Sequence, residues 1–174
     1  MIAAPVAPAV RRIPALPRLP ARLEHLVDLI PADSAQAPIA DIGAGHGLLA
    51  AHLAARGATV IATEAALIPW TELRANLARW GVTAAVQTRH GRGLDPLRRS
   101  EVRLAIAAGI GSRALLDIVV QAPDRGVPRL LLQCVQHPEQ VDAWLDACGW
   151  PVRARTAPAD RGRIYPTWLV EVPQ

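Results

Sequence analysis

A chain of 174 residues, 51% apolar and 20% charged, can bury one sizeable core, so a compact globule is expected rather than a disordered chain. Its 19 basic residues, all Arg, outnumber 15 acids and give a net charge of +4, which suits either an anionic partner such as nucleic acid or simply a basic surface. No apolar run nears the roughly 20 residues that cross a bilayer, and two cysteines exclude a disulfide framework, so a cytoplasmic protein is expected.

Residues 1–18, rich in Ala and Pro with Arg11, Arg12 and Arg18, read as a flexible or loosely packed arm, and 19–174 as a single domain. Helical spacing of apolar residues predicts a helix over Leu19–Leu29, before Pro31. Ala37–Ile42 reads as a buried strand, Gly47–Arg56 as a helix stopped by Gly57, and Ala58–Thr63 as a second strand with Glu64 at its end. Pro69 suits the first turn of a helix that ends at Gly81, and Ala84–Arg89 is a third strand. A turn-rich piece over 90–99 leads to a fourth strand, Val102–Ala107, and then to a glycine turn, Gly109–Ser112. Ser112 is placed to cap a helix reaching Val120. Arg129–Val135 is a fifth strand and Pro138–Cys148 a helix closed by Gly149. Val152–Thr156 and Ile164–Val172, across a tight turn at Asp160-Arg161-Gly162, read as an antiparallel hairpin.

Alternating strands and helices predict an α/β protein with a mainly parallel sheet, here seven-stranded once the C-terminal hairpin is added: the plan of a Rossmann-like methyltransferase fold. The strongest chemical signal is the first strand–loop–helix unit, Asp41-Ile42-Gly43-Ala44-Gly45-His46-Gly47. Glycines let a backbone approach a ligand closely, and the free N–H groups of the following helix face it. A dinucleotide fingerprint needs a small residue three after Gly45, and Leu48 stands there. The G-x-G-x-G spacing after an acid instead resembles the first motif of S-adenosylmethionine-dependent methyltransferases. Glu64, 17 positions beyond Gly47, suits the ribose hydroxyls of either cofactor, and a glycine turn that serves packing alone remains the bland alternative.

From about Arg22 to Val172 the chain resembles the bacterial tRNA (adenine(22)-N1)-methyltransferases. The resemblance is carried by Arg22-Leu23, Ala40-Asp41-Ile42-Gly43, His46, Glu64, Pro69, Asn76, Arg89, Gly91, Gly93-Leu94, Ala108-Gly109-Ile110-Gly111, Leu132-Gln133, Trp144-Leu145, Gly149-Trp150 and Tyr165. It implies methyl transfer from S-adenosylmethionine to N1 of a tRNA adenine. Such a reaction is driven by alignment and a suitable electrostatic cavity, since the sulfonium is already a good leaving group and no proton must leave in the transfer step. Cofactor contacts are expected from Asp41, Gly43, Gly45, Gly47, Glu64, Gly91, Arg92 and Gly109. Substrate contacts are expected from Arg22, Ile110, Gly111, Ser112 and Arg113, with His46 the catalytic candidate or else a helix N-terminal contact.

The chain departs from the family at several positions. Gly45 stands where Asp is usual, Arg92 replaces the Asp of a Gly-Asp-Gly turn expected to touch the cofactor's adenine amino group, and Arg103 falls near another lost Asp. Ser112 replaces a Gly, Cys134-Val135 replaces Pro-Asn, and the family's C-terminal helical extension is not expected here. These changes keep two other readings open: an RNA-binding relative with weakened catalysis, and a small-molecule methyltransferase. Arg98, Arg99, Arg103, Arg153, Arg155, Arg161 and Arg163 read as basic patches or a solvated face, and the Trp residues as core, with Trp70 the one base-stacking candidate. Cys134 and His137 have ligand-like spacing but no second pair, so no metal is expected. The partner expected is tRNA, without a membrane, and a monomer is favoured.

Overall fold

The computed structural model describes residues 15–173. Most of the expected arm, including Arg11 and Arg12, lies outside the described residues. The chain then runs α1 (Ala21–Asp28), a 3-10 turn (Ala32–Gln36), β1 (Ile39–Ile42), α2 (Leu48–Ala55), β2 (Val60–Glu64), α3 (Leu67–Arg79) and β3 (Val86–His90). It continues through β4 (Leu104–Ile110), α4 (Ser112–Arg125), β5 (Arg129–Cys134), α5 (Pro138–Cys148), β6 (Val152–Thr156), β7 (Ala159–Asp160), β8 (Arg163–Ile164) and β9 (Thr167–Glu171).

Seven strands form one sheet in the order β3-β2-β1-β4-β5-β9-β6, with β9 antiparallel to both neighbours and the rest parallel. Each buried strand contributes to two cores in alternation. Ile42, Ile61, Ala105, Ala107, Leu130 and Leu132 face α4 and α5, whereas Ile39, Val60, Leu104, Ile106 and Leu131 face α1, α2 and α3. Period-two side-chain placement on a strand covered by helices on both faces accounts for the near-continuous apolar runs. The strand order reverses at β1, between β2 and β4, and ligands of open parallel sheets bind at the carboxyl ends of strands at such a switch point.

Three local expectations are corrected. The tight turn at Arg161-Gly162 does not join the two sheet strands: it closes the short β7–β8 ribbon outside the main sheet, and β6 pairs with β9 around it. Gly109 and Ile110 belong to β4 rather than to a turn, and the pairing with β5 shifts register between Ala108 and Ile110 where Gly109 takes a φ of +75°. Ser112 is the first residue of α4 and not its cap. Gly111 is the N-cap, and the buried Ser112 hydroxyl donates to Gln140 Oε1 at 2.7 Å.

The turn-rich connection between β3 and β4 contains no α-helix and is fixed by side chains. Leu94, Leu97 and Val102 are buried in the core beside α4. Arg89 grips Glu101 with two contacts of 2.7 Å and donates to the carbonyl of Pro96 at 2.9 Å. From α4, Arg125 reaches the Leu97 carbonyl at 3.1 Å and the Asp95 carboxylate at 2.9 Å. The Arg89 guanidinium, helped by the Arg98 N–H, holds the Glu101 carboxyl down to about 2 against a partial opposing effect of burial.

Candidate active site

The loop after β1 passes through three positive-φ glycines: Gly43 at +68°, Gly45 at +53° and Gly47 at +81°. Gly43 and Gly45 have nothing within 4 Å of where a Cβ would stand, so the loop presents bare backbone to open space. Gly47 is different. A Cβ there would lie 2.5 Å from Leu73 Cδ1, so this glycine lets α2 seat against α3. Gly47 thus has a packing role, and unlike Gly43 and Gly45 it lines neither cavity of the cleft.

Two carboxylates organise the loop. Glu64, at the end of β2, accepts the Gly45 N–H with Oε2 at 3.0 Å and the Ala66 N–H with Oε1 at 2.9 Å, tying the glycine loop to the start of α3. Asp41 is 3% exposed, and its Oδ2 accepts the Ala50 N–H in the first turn of α2 at 3.1 Å. This bond satisfies a helix-end donor that Gly47 cannot cap. Burial pushes the Asp41 carboxyl up to about 7, with the Glu64 charge adding to the rise and the Ala50 N–H opposing it. A buried acid in that state gains charge stabilisation when a cation arrives.

Two cavities meet at Gly43. The larger, about 310 Å³, is lined by Arg22, Asp41, Gly43, Gly45, His46 and Gly109 among others. The smaller, about 100 Å³, is walled by Ile42, Ile110, Ala114 and Ile118, with Glu64, Gly91, Arg92, Gly93, Asp117 and Gln121. A third, about 290 Å³, lies beyond the Arg92–Asp117 pair and takes in Gly111, Ser112, Arg113, Gln136 and His137. The structure thus brings Asp41, Gly43, Gly45, Glu64, Gly91, Arg92 and Gly109 to one cleft, with Arg22 and His46 at the larger cavity. Of the expected substrate residues, Ile110 lines the smaller cavity while Gly111, Ser112 and Arg113 line the third.

His46 is largely exposed, its Nδ1 pairs with Glu72 at 3.0 Å, and Asn76 on α3 donates to its carbonyl at 3.0 Å. Arg22 is held more firmly. It donates to Gln133 Oε1 at 3.0 Å, its carbonyl accepts from Gln133 Nε2 at 3.0 Å, and its guanidinium lies 5.2 Å from the Tyr165 ring centroid. Trp70 has the Arg74 guanidinium 4.9 Å from its ring centroid and His90 tilted against it at 5.3 Å, so the base-stacking candidate already has ring partners. Arg153 and Arg155 are engaged by Glu171, Asp142 and Asp146, while Arg98, Arg99, Arg103, Arg113, Arg161 and Arg163 are exposed. Cys134 Sγ contacts the Gln136 carbonyl at 2.9 Å, and among the described residues no group of three or more His, Cys, Asp or Glu is placed to hold a metal. No described helix is long and apolar enough to cross a membrane.

Residue-by-residue reading of the sequence missed Asp117 and Gln121. Their signal was their place, with Ala114 and Ile118, at i, i+3, i+4 and i+7 of α4, which puts all four on one face toward the smaller cavity.

A parallel sheet of this order with a glycine loop at its switch point defines a Rossmann-like methyltransferase fold. The chain belongs to the methyltransferase-domain family, which matches over residues 19–167. It is 27% identical over 132 residues to the tRNA (adenine(22)-N(1))-methyltransferase of Bacillus subtilis strain 168, covering 74% of this chain and 54% of that protein. The chain thus spans about half the length of this curated relative. The Streptococcus pneumoniae protein Sp1610, solved with S-adenosyl-L-methionine, superposes with a TM-score of 0.78 at 26% identity, over 88% of this chain and 72% of that one. The B. subtilis m1A22 tRNA methyltransferase structure superposes at 0.79 and 22% identity, over 90% and 68% of the two chains, and shows the shared fold.

Proposed function

We propose that this domain binds S-adenosylmethionine and methylates N1 of an adenine in tRNA, in the cytoplasm, through a single catalytic domain beginning near Leu19. The observation that carries the cofactor reading is the cleft at the glycine loop. Two glycines face open space, a buried carboxylate lies at the wall, and a second carboxylate anchors the loop. The donor set fits the group: Asp41 has a charge that a sulfonium or ammonium would stabilise, and Glu64 keeps acceptor capacity for hydroxyls beyond the two N–H groups it already receives. When bound, the cofactor supplies an activated methyl on a cationic sulfur. The tRNA reading is supported by the B. subtilis relative and by the exposed arginines, whose charge suits a phosphate backbone.

Adenine N1 attacks with its own lone pair, so the protein has no proton to remove in the transfer step. Its work is alignment and charge placement. The bare backbone of Gly43 and Gly45 sets how near a ligand can approach, and Asp41 places negative charge in the larger cavity. Arg22, fixed by Gln133 and Tyr165, offers immobilised donors to a base or phosphate entering beside Gly109. His46, tethered to Glu72, stands at the same cavity as a positioning group.

Calorimetric titration with S-adenosylmethionine, alongside Glu64→Ala, tests the cofactor site: micromolar binding lost by about 100-fold in the variant is expected, since charged hydrogen bonds are removed on both sides. Labelled methyl should then enter total tRNA and appear as 1-methyladenosine on nucleoside analysis. Label only in protein or small molecules would overturn the RNA assignment. Salt-sensitive tRNA binding without any cofactor binding would make the chain an RNA-binding relative.

A further inference from the structure

The smaller cavity has apolar walls suited to a flat heteroaromatic ring, and its polar groups can be taken one at a time. Both oxygens of Glu64 receive backbone N–H groups. Gln121 is spent on structure: its Oε1 accepts the Leu94 N–H at 3.3 Å and its Nε2 donates to the Asp117 carbonyl at 2.7 Å. Arg92 carries donors only, so it cannot accept a hydrogen bond from any ligand. Its Nη2 is bound to Asp117 Oδ2 at 2.6 Å. That leaves the second oxygen of Asp117, whose side chain is 43% exposed, as the carboxylate oxygen at this cavity to which the described structure assigns no hydrogen-bond donor.

We propose that Asp117, oriented by Arg92, is the acceptor that reads the exocyclic amino group of the adenine ring in the smaller cavity. This assignment rests on the cofactor reading above. The loop after β3 holds Arg92 where the resembled family holds an acid, and the acceptor is supplied instead from α4, 25 residues further along the chain. The ion pair has a second consequence. It draws the Asp117 carboxylate to the boundary between the smaller and the third cavity, so a single side chain faces both the ring site and the cavity lined by Gly111 and Arg113.

The test compares S-adenosylhomocysteine with S-inosylhomocysteine, in which a carbonyl replaces the amino group, by calorimetry on the full chain. The wild type should prefer the adenine compound by about tenfold or more, the scale of one charge-assisted hydrogen bond. Asp117→Asn preserves size and can keep its carbonyl on Arg92, turning an amide donor to the ring. It should lose the adenine preference and gain affinity for the inosine compound, a reversal that loosened packing would not produce. Arg92→Ala, which frees the carboxylate it orients, should reduce the adenine preference less than Asp117→Asn does and without reversing it. An unchanged preference in Asp117→Asn, or a preference lost in Arg92→Ala alone, would overturn the assignment while leaving the cofactor site intact. Failure of the wild type to bind S-adenosylhomocysteine at all would instead overturn the cofactor reading, and this assignment with it.

Discussion

The two cavities of the cleft are built by different means. The larger one is shaped by backbone: positive-φ glycines, a loop N–H held by Glu64, and a helix end satisfied by Asp41. The smaller one is closed by side chains from separate elements: Arg92 from the loop after β3, Asp117 and Gln121 from α4. Backbone geometry demands particular residues at particular positions, so the first region keeps a readable motif. A charge pair demands only that opposite charges meet, so the second can exchange its residues between elements and still present an acceptor.

The largest effect should come from breaking the backbone-built half. Gly47→Val sets a branched side chain at a φ of +81° and drives it into Leu73, so a loss of about 3–4 kcal/mol in urea unfolding is expected from strain and overpacking together. Gly45→Ala meets no neighbour and should cost only about 1 kcal/mol for the left-handed backbone, yet weaken S-adenosylmethionine binding at least about tenfold because its methyl enters the cleft. Wild-type affinity in Gly45→Ala would show that the loop is not the ligand-facing surface.

Asp41→Asn should sharpen the contrast with an effect of opposite sign that appears only as pH rises. A carboxyl raised from 3.8 to about 7 in the folded state opposes folding once ionised. Its stabilising influence is complete below pH 4 and lost as pH climbs through about 7. The Asn variant, which can still accept the Ala50 N–H, should therefore match the wild type near pH 4 and exceed it by up to about 4 kcal/mol at pH 8, the full linkage of a shift from 3.8 to about 7. The same variant should bind the cationic cofactor more weakly and without the rise in affinity expected of the wild type from pH 6 to 8. A wild type whose binding is flat across that range would remove Asp41 from the cation's environment.

The five parallel strands were legible because each apolar run is bounded by a glycine or proline, though their order in the sheet was not, and the cofactor loop was legible because Asp41, Gly43, Gly45 and Glu64 keep their spacing. The errors share a cause. Asp160-Arg161-Gly162 has sound turn chemistry, but which strands a turn joins depends on pairing, and here it closes a two-residue ribbon. Ser112 stands where a cap belongs, but Gln140 captures its hydroxyl. Arg92 viewed alone is a lost acid; the carboxylate that answers it lies on α4, beyond any local pattern.

The side-chain-built half has its own anchor, and disturbing it should give the smallest effect. Arg89 and Glu101, 17% and 18% exposed, clamp the two ends of the segment that carries Gly91, Arg92 and Gly93. Glu101→Gln keeps the shape but removes the negative charge that faces Arg89, so a cost of about 1–2 kcal/mol at neutral pH is expected. Because the folded Glu101 titrates at about 2, below its ordinary 4.5, its contribution is present above pH 4.5 and lost as pH falls through 2. The gap between wild type and variant should thus be full at pH 6–8 and shrink in acid, the reverse of the Asp41→Asn gap, which opens as pH rises. The loosened segment should also weaken S-adenosylhomocysteine severalfold, through Arg92 and Asp117, without altering the pH dependence that Asp41 sets. If the stability gap stayed constant down to pH 2.5, the ion pair would not be what holds the loop, and its position would have to come from Leu94, Leu97 and the Arg125 contacts instead.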